Sequence, residues 1–215
     1  MSNEQQGVYM KLIEIADVIS GRTFKHGVAE AENWTHSVIQ LRDVLKDKHA
    51  IYIDWESLTK TDLSRSTVNT LEHKDILIIA KGMMKQAILI DEPQQQTTVT
   101  QHLFIIRVKD SNQYSAEFLK HYLNSDVAQA WMHNNSSGQY QSTMSKRTLS
   151  DLPVPNLGLE QQQILAQKAY QKLSQIREHQ VAIFSLEQGL DTLFREVSEM
   201  PEEHRQEIRR PIRNV

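Results

Sequence analysis

The chain has 215 residues, of which 39% are hydrophobic and 24% charged, with no cysteine and a formal net charge of -3. Such a composition supplies the core of one globular domain plus an appendage, and it excludes disulfides, thiolate catalysis and cysteine-ligated zinc. The first 155 residues carry 16 basic against 18 acidic side chains and the remainder 8 against 9, so any nucleic-acid surface must be a local patch rather than a basic domain.

The polar opening Ser2 to Gln6 has neither the basic start nor the apolar stretch of a signal peptide. No later apolar run approaches the roughly 20 residues of a membrane span, so a cytoplasmic protein without membrane contact is expected. Leu12, Ile15, Ala16 and Ile19 follow helical spacing and Gly21 stops the pattern, which predicts a short amphipathic helix over Lys11 to Ser20. Arg22, Thr23, Phe24 and Lys25 then form a basic loop with one aromatic; it reads equally as a solvated loop anchored by Phe24 or as a nucleic-acid contact. Short runs rich in Ile, Leu or Val at Ser37 to Leu41, Ala50 to Ile53, Asp75 to Ile79, Ala87 to Ile90 and Leu103 to Val108 predict a small, mostly antiparallel sheet. The glycine-containing connection Ala80 to Gln86 predicts a hairpin carrying Lys81 and Lys85.

Ser115 is a predicted cap for a helix whose core face holds Phe118, Leu119, Tyr122, Leu123, Val127, Ala130 and Trp131. From Gly138 to Arg147 the chain reads Gly-Gln-Tyr-Gln-Ser-Thr-Met-Ser-Lys-Arg. Amides, hydroxyls and basic groups at that density are what a DNA groove-reading loop uses, although a plain polar surface loop has the same composition. Beyond Pro153, Pro155 and Gly158, a long helix is predicted from Leu159 to Val197, ending before Pro201. Ala169, Ile176, Ile183, Leu190 and Val197 recur every seven positions, and Ala166, Leu173 and Phe194 fill part of a second seam interrupted by Gln180 and Glu187. At about 1.5 Å per residue the helix spans roughly 60 Å, too long for one small domain to cover, so it needs a partner helix. Gln161 to Gln163 are expected to face solvent, and Gly189 to mark a kink or a close helix contact. The tail after Pro201, with Arg205, Arg209, Arg210 and Arg213, reads as a loosely docked basic end.

Catalytic patterns are missing from the sequence: there is no phosphate-binding glycine loop, dinucleotide fingerprint, Gly-x-Ser-x-Gly elbow or His-Glu-x-x-His pair. The nine histidines are scattered. His26 with His36, or His121 with His133, lacks a third ligand at metal spacing, so no metal is assigned. Asp54, Glu56 and Asp62 sit in polar surroundings, which gives a nuclease reading nothing to rest on.

The order of parts resembles the specificity subunit of Type I restriction-modification systems. The similar pieces are the Leu12 to Ser20 segment with Gly21, the strand Asp75-Ile76-Leu77-Ile78-Ile79, and Phe118-Leu119-Lys120-His121-Tyr122-Leu123-Asn124-Ser125. The polar Gly138 loop, Leu149-Ser150-Asp151-Leu152-Pro153-Val154-Pro155 and Glu160-Gln161-Gln162-Gln163-Ile164 complete the match. In that family the strand motif usually has glycine where Lys74 stands, a further proline falls near Leu157-Gly158, and one polypeptide carries two recognition domains and two spacers.

The resemblance implies an α/β (α+β) fold: a small, mostly antiparallel-sheet target recognition domain over residues 1–155, a coiled-coil spacer helix over 156–199, and a basic tail over 200–215. It implies a non-catalytic subunit that reads double-stranded DNA and docks DNA methyltransferase subunits and a restriction subunit, with S-adenosylmethionine and ATP on those partners and no cofactor of its own. Its implied DNA face comprises Arg22, Lys25, Lys81 and Lys85, then Gln139, Tyr140, Gln141 and Ser142, then Lys146 and Arg147. Basic members are expected to grip phosphate, and amides and hydroxyls to read bases. Two copies pairing through Ala169, Leu173, Ile176, Ile183, Leu190, Phe194 and Val197 would rebuild the two-headed arrangement with twofold symmetry and read an interrupted palindrome. The rival expectation is a coiled-coil adaptor or inhibitor that occupies a methyltransferase without reading DNA.

Overall fold

The computed structural model describes residues 8–46, 51–82, 85–94, 96–138 and 142–199. It divides into two compact units, Met1–Ala169 and Tyr170–Val215. The strands are β1 (Tyr9–Lys11), β2 (Ala16–Ser20), β3 (His36–Ile39), β4 (Val44–Lys46), β5 (Ile51–Ile53), β6 (Thr59–Thr61), β7 (Ile76–Ile79), β8 (Ala87–Leu89), β9 (Thr97–Val99), β10 (Leu103–Val108) and β11 (Pro153–Pro155). The helices are α1 (Leu12–Ile15), α2 (Ala116–Leu123), α3 (Asp126–Asn134), α4 (Lys146–Ser150) and α5 (Leu159–Glu199). Each of the five predicted runs coincides with a strand. The strands that were not predicted are mostly three residues long, too short to display a period.

The first unit is organised on an antiparallel sheet in the order β2-β10-β7-β8. Side chains alternate across a strand, and here both faces are covered. Ile76, Ile78, Phe104 and Ile106 enter a core shared with Leu12, Leu119, Leu123 and Met132, whereas Leu77, Leu103 and Ile105 enter a second core with Ile39, Ile53, Leu58 and Val99. The second core is closed by the sheet β6-β3-β9, in which β3 and β9 run parallel, and by the β4-β5 pair. The two halves join where Arg22 bridges to Thr100 and the Thr100 N–H donates to the Ile39 carbonyl at 3.0 Å.

Two helical expectations are corrected. Over Lys11 to Ser20 only Leu12–Ile15 is helical; Ala16 and Val18 are then buried with Asp17 exposed between them, a period of two that β2 satisfies by pairing with β10. Gly21 serves packing, because a Cβ there would lie 2.1 Å from the Thr100 carbonyl oxygen. The Ser115 helix does begin as expected, with the Ser115 hydroxyl accepting from the Phe118 N–H, but it ends at Asn124 and Ser125 caps a second helix. The break shifts the helical phase: Ala128 and Met132 take the buried positions, and Val127 is 67% exposed. Asn124 is used on the sheet edge instead, its amide accepting from the Ala87 N–H at 2.9 Å and donating to the Ala87 carbonyl at 2.8 Å.

Gln162 is also corrected, being buried rather than solvent-facing. Its carbonyl accepts from the Ser115 N–H at 2.9 Å, and its amide donates to Gln113 at 3.0 Å and Leu157 at 2.8 Å. Ala166 is likewise buried in the first core and does not belong to an outward seam. In the second unit α5 is continuous through Gly189, where a Cβ would meet nothing in this chain. The basic tail lies outside the described residues.

The acidic residue of the Asp75 strand has a structural partner. Asp75 is fully buried, and its two carboxylate oxygens accept from Arg107 Nε at 2.8 Å and Nη2 at 2.7 Å. Arg107 also donates to Glu72 and to the Thr70 carbonyl, and the Asp75 hydrogen bond raises its pKa further above the usual guanidinium value. Beside it Lys74, where the resembling motif usually has glycine, adopts the left-handed conformation, φ 65°, that glycine tolerates best, and its ammonium pairs with Asp91 at 2.6 Å and Glu117 at 2.8 Å. Removing the carboxylate leaves Arg107 with only Glu72 and the Thr70 carbonyl, so Asp75→Ala should lower the unfolding free energy by about 1 to 3 kcal/mol in urea denaturation.

Candidate nucleic-acid interface

Sheet register decides which loops meet. Ser20 pairs with Phe104, Ile79 with Leu103 and Ile78 with Ala87, so the segments after β2, after β7, before β8 and before β10 all emerge at one end. A fourth segment is tied to that end: Lys81 bridges Thr143, the Gly82 N–H donates to the Ser142 carbonyl at 2.9 Å, and the Met144 N–H donates to the Ala80 carbonyl at 2.9 Å. Ser137 and Thr143 pair with each other through bonds of 3.0 and 2.8 Å, closing the base of the loop that contains Gly138. Gln139, Tyr140 and Gln141 lie outside the described residues.

Arg22 is held in this cluster by its backbone, which donates to the Val99 carbonyl at 2.8 Å and accepts from the Gln101 N–H at 2.9 Å. Its guanidinium donates to the Ser66 hydroxyl at 2.9 Å and lies 5.7 Å from the Phe24 ring centroid. Phe24 is partly buried and belongs to neither core; its ring steers the arginine, and the guanidinium retains donors for a phosphate. Lys25 is exposed three residues further along. The Ser66 bond also brings in the segment holding exposed Arg65, which the sequence did not single out because an isolated arginine in a polar loop has no pattern around it.

Lys146 and Arg147 are exposed on α4, whose Ser145 cap accepts from the Thr148 N–H at 3.0 Å. This short helix packs on β2 and α1. Arg147 is within electrostatic reach of the Lys11–Asp151 pair, 2.7 Å apart, where its positive charge helps hold the Asp151 carboxyl below the usual carboxylate range after the larger effect of the Lys11 bond. It thus lies towards β1 and α1.

Two expected DNA contacts are corrected. Lys85 is 1% exposed, and its ammonium donates to the carbonyls of Gly82 and Ser142, the latter at 2.6 Å, and to the Ser142 hydroxyl at 3.3 Å. Ser142, at 5% exposure, accepts two of those bonds. Neither side chain faces solvent, so Lys85 does not present its charge to a phosphate and Ser142 does not present its hydroxyl to a base. A lysine beside glycine in a hairpin looks like a solubilising turn; only the approach of a segment 57 residues away gives it neutral acceptors inside the protein.

Of the heptad positions, Ala169 is half-buried, whereas Leu173, Ile176, Ile183, Leu190 and Phe194 are exposed, with Phe194 at 73%. The Val197 side chain lies outside the described set. Among the described residues, no group of three His, Cys, Asp or Glu is placed to hold a metal ion. Among the described residues no helix is long and apolar enough to cross a membrane.

Residues 6–180 match the family described as Type I restriction modification DNA specificity domain. No curated protein matches. Among solved structures, the fold is similar to the HsdS subunit from Thermoanaerobacter tengcongensis, at TM-score 0.56 and 15% identity over 80% of this chain and 39% of that one. The S subunit of a Type-I restriction-modification system from M. genitalium gives TM-score 0.50 and 16% identity, with coverage of 88% and 44%. A structure described as underlying complex assembly and conformational transition of the type I R-M system gives 0.57 and 16%, with 85% and 43%. The chain therefore spans about two fifths of the length of these relatives.

Burial lowers the Lys85 pKa below its ordinary value of 10.5. The native chain then releases this proton before the unfolded chain does, so the stability associated with neutral Lys85 grows as pH rises towards 10.5 and is lost as pH falls through the folded pKa. Urea denaturation across that range should show wild type gaining on Lys85→Met as pH rises; parallel curves would contradict the assignment.

Proposed function

The chain belongs to the family of Type I restriction-modification DNA specificity domains, and we propose that it acts as a half-length specificity subunit, dimerising through α5 to read an interrupted palindromic DNA target. The family role is specificity rather than catalysis. Methyl transfer with S-adenosylmethionine belongs to a DNA methyltransferase partner, and ATP-driven cleavage to a restriction subunit, in the cytoplasm.

The observation that carries the proposal is the gathering of Arg22, Lys81 and the loop closed by Ser137 and Thr143 at one end of the central sheet. In a chain of net charge -3, this is the local patch that DNA contact requires. Arg22, Lys25 and Lys81 grip phosphate there, with Arg65 beside them; Gln139, Tyr140 and Gln141 are the base readers, and Lys146 and Arg147 extend the grip along α4. Phosphate contacts set affinity and register on the duplex, whereas base-edge contacts set sequence.

The second half of the proposal is supported by the exposed apolar positions of the seven-residue repeat, Ile176, Ile183 and Leu190, which a second copy of the same helix would cover. A helix of 41 residues is about 60 Å long at 1.5 Å per residue. That exceeds the roughly 34 Å of one DNA turn, the smallest separation of two readers on one face of the duplex.

Three measurements test this reading. Coexpression with a Type I methyltransferase followed by sequencing of methylated sites should return a symmetric, interrupted target; an asymmetric one for this chain alone would contradict the dimer. Ile176→Glu with Ile183→Glu should halve the solution mass without altering the thermal midpoint of the head. Lys81→Ala should weaken binding to all duplexes alike and reduce the slope of log affinity against log salt by about one unit, while Gln139→Ala should cost about 1 to 3 kcal/mol on the target sequence alone.

A further inference from the structure

We propose that Lys85, acting with Gln129, is a positioning residue for DNA reading: its buried amine links the β7-β8 hairpin to the Ser142 segment and fixes where that segment, adjoining the proposed base readers in sequence, is held. This rests on the DNA-reading function proposed above. It assigns Lys85 no contact with the nucleic acid.

The side chain is an unusual choice for its place. Lysine is seldom fully buried without an acid, because leaving water is costly for an ammonium. Among the described residues no carboxylate pairs with it; its donors go to two carbonyls and one hydroxyl. An apolar side chain of similar length would fill the same space without the desolvation penalty. What the amine adds is direction, since it bonds Gly82 on one segment and Ser142 on another at the same time.

The amine is itself referenced to the core. Gln129 of α3 accepts from the Lys85 N–H at 3.2 Å and donates to the carbonyls of Lys85 at 3.0 Å and Leu123 at 2.7 Å. Asn124, at the break between α2 and α3, holds Ala87 in the same way. A chain of bonds therefore runs from the helical corner through Gln129 to Lys85, and from there to Ser142. Its last member adjoins Thr143, which pairs with both Lys81 and Ser137.

Without the amine the loop stays attached, because the Ser142 carbonyl still accepts from Gly82 and Met144 still bonds Ala80. What weakens is the definition of its position. Base-edge hydrogen bonds depend on angle and sub-ångström placement, whereas phosphate contacts are long-range and tolerant. Loss of the amine should therefore reduce discrimination between sequences far more than affinity for DNA in general.

The test uses the full chain assembled with its methyltransferase, the target duplex found by methylation sequencing, and a random duplex of equal length. Lys85→Met should keep the salt slope and its affinity for random duplex within about twofold of wild type, and lose at least about tenfold of the target-to-random ratio. Ser142→Ala, which removes only the hydroxyl acceptor, should lose less, and adding it to Lys85→Met should lose nothing more. Should Lys85→Met fail to fold by thermal melting, Gln129→Met, which frees the Lys85 backbone and leaves the amine, carries the same expectation. Full discrimination in the folded variants, or target and random affinities falling together, overturns the positioning role. A wild-type assembly with no preference between duplexes overturns the DNA-reading function itself, and this role with it.

Discussion

Burial of β7 and β10 on both faces is the constraint from which the first unit follows. Ile76, Leu77, Ile78, Leu103, Ile105 and Ile106 are all fully buried, each worth about 1.5 to 3 kcal/mol against exposure. A slip by one residue would send every side chain to the opposite face, and here both faces are filled by close-packed cores that fit only the observed set. Register is thereby locked, and with it the identity of the loops that emerge together. Asp75 and Arg107 reinforce the same pair of strands at the opposite end, where Ile76 faces Ile106 and the carboxylate is taken entirely from water.

That locking converts a sequence of scattered basic and polar residues into a surface. Arg22, Lys81 and Thr143 are far apart along the chain, yet each is one or two residues beyond a strand end or a bridge that the central sheet controls. The chain is not basic overall, and its basic side chains at this sheet end are brought together by the register alone. The same sheet end explains why a lysine and a serine of suitable chemistry are unavailable to DNA: they are used in holding the segments together.

The long helix plays two roles in two units. Its opening turns belong to the first core, through buried Ala166 and through Gln162, whose amide satisfies backbone groups of three other residues. From Leu173 to Phe194 the apolar side chains are exposed.

Much of the fold was legible in the residues. Short Ile- and Leu-rich runs gave the main strands because a strand buried on both faces is nearly continuous in apolar residues, and proline and glycine bounded α5. The α2 cap at Ser115 was readable because capping is a bond between near neighbours in sequence. The Lys11 to Ser20 helix was misread because Leu12, Ile15, Ala16 and Ile19 satisfy the helical period as well as β2 does, and only pairing with β10 decides between them. The break at Asn124 was invisible for a related reason: its amide is recruited by Ala87, a residue 37 positions away. Local order thus determined most element types, though not that of β2, together with the family resemblance and the heptad positions. Contacts between distant segments decided which polar side chains face outward, since Lys85, Ser142 and Gln162 are indistinguishable from surface residues until their hydrogen-bond partners are brought to them.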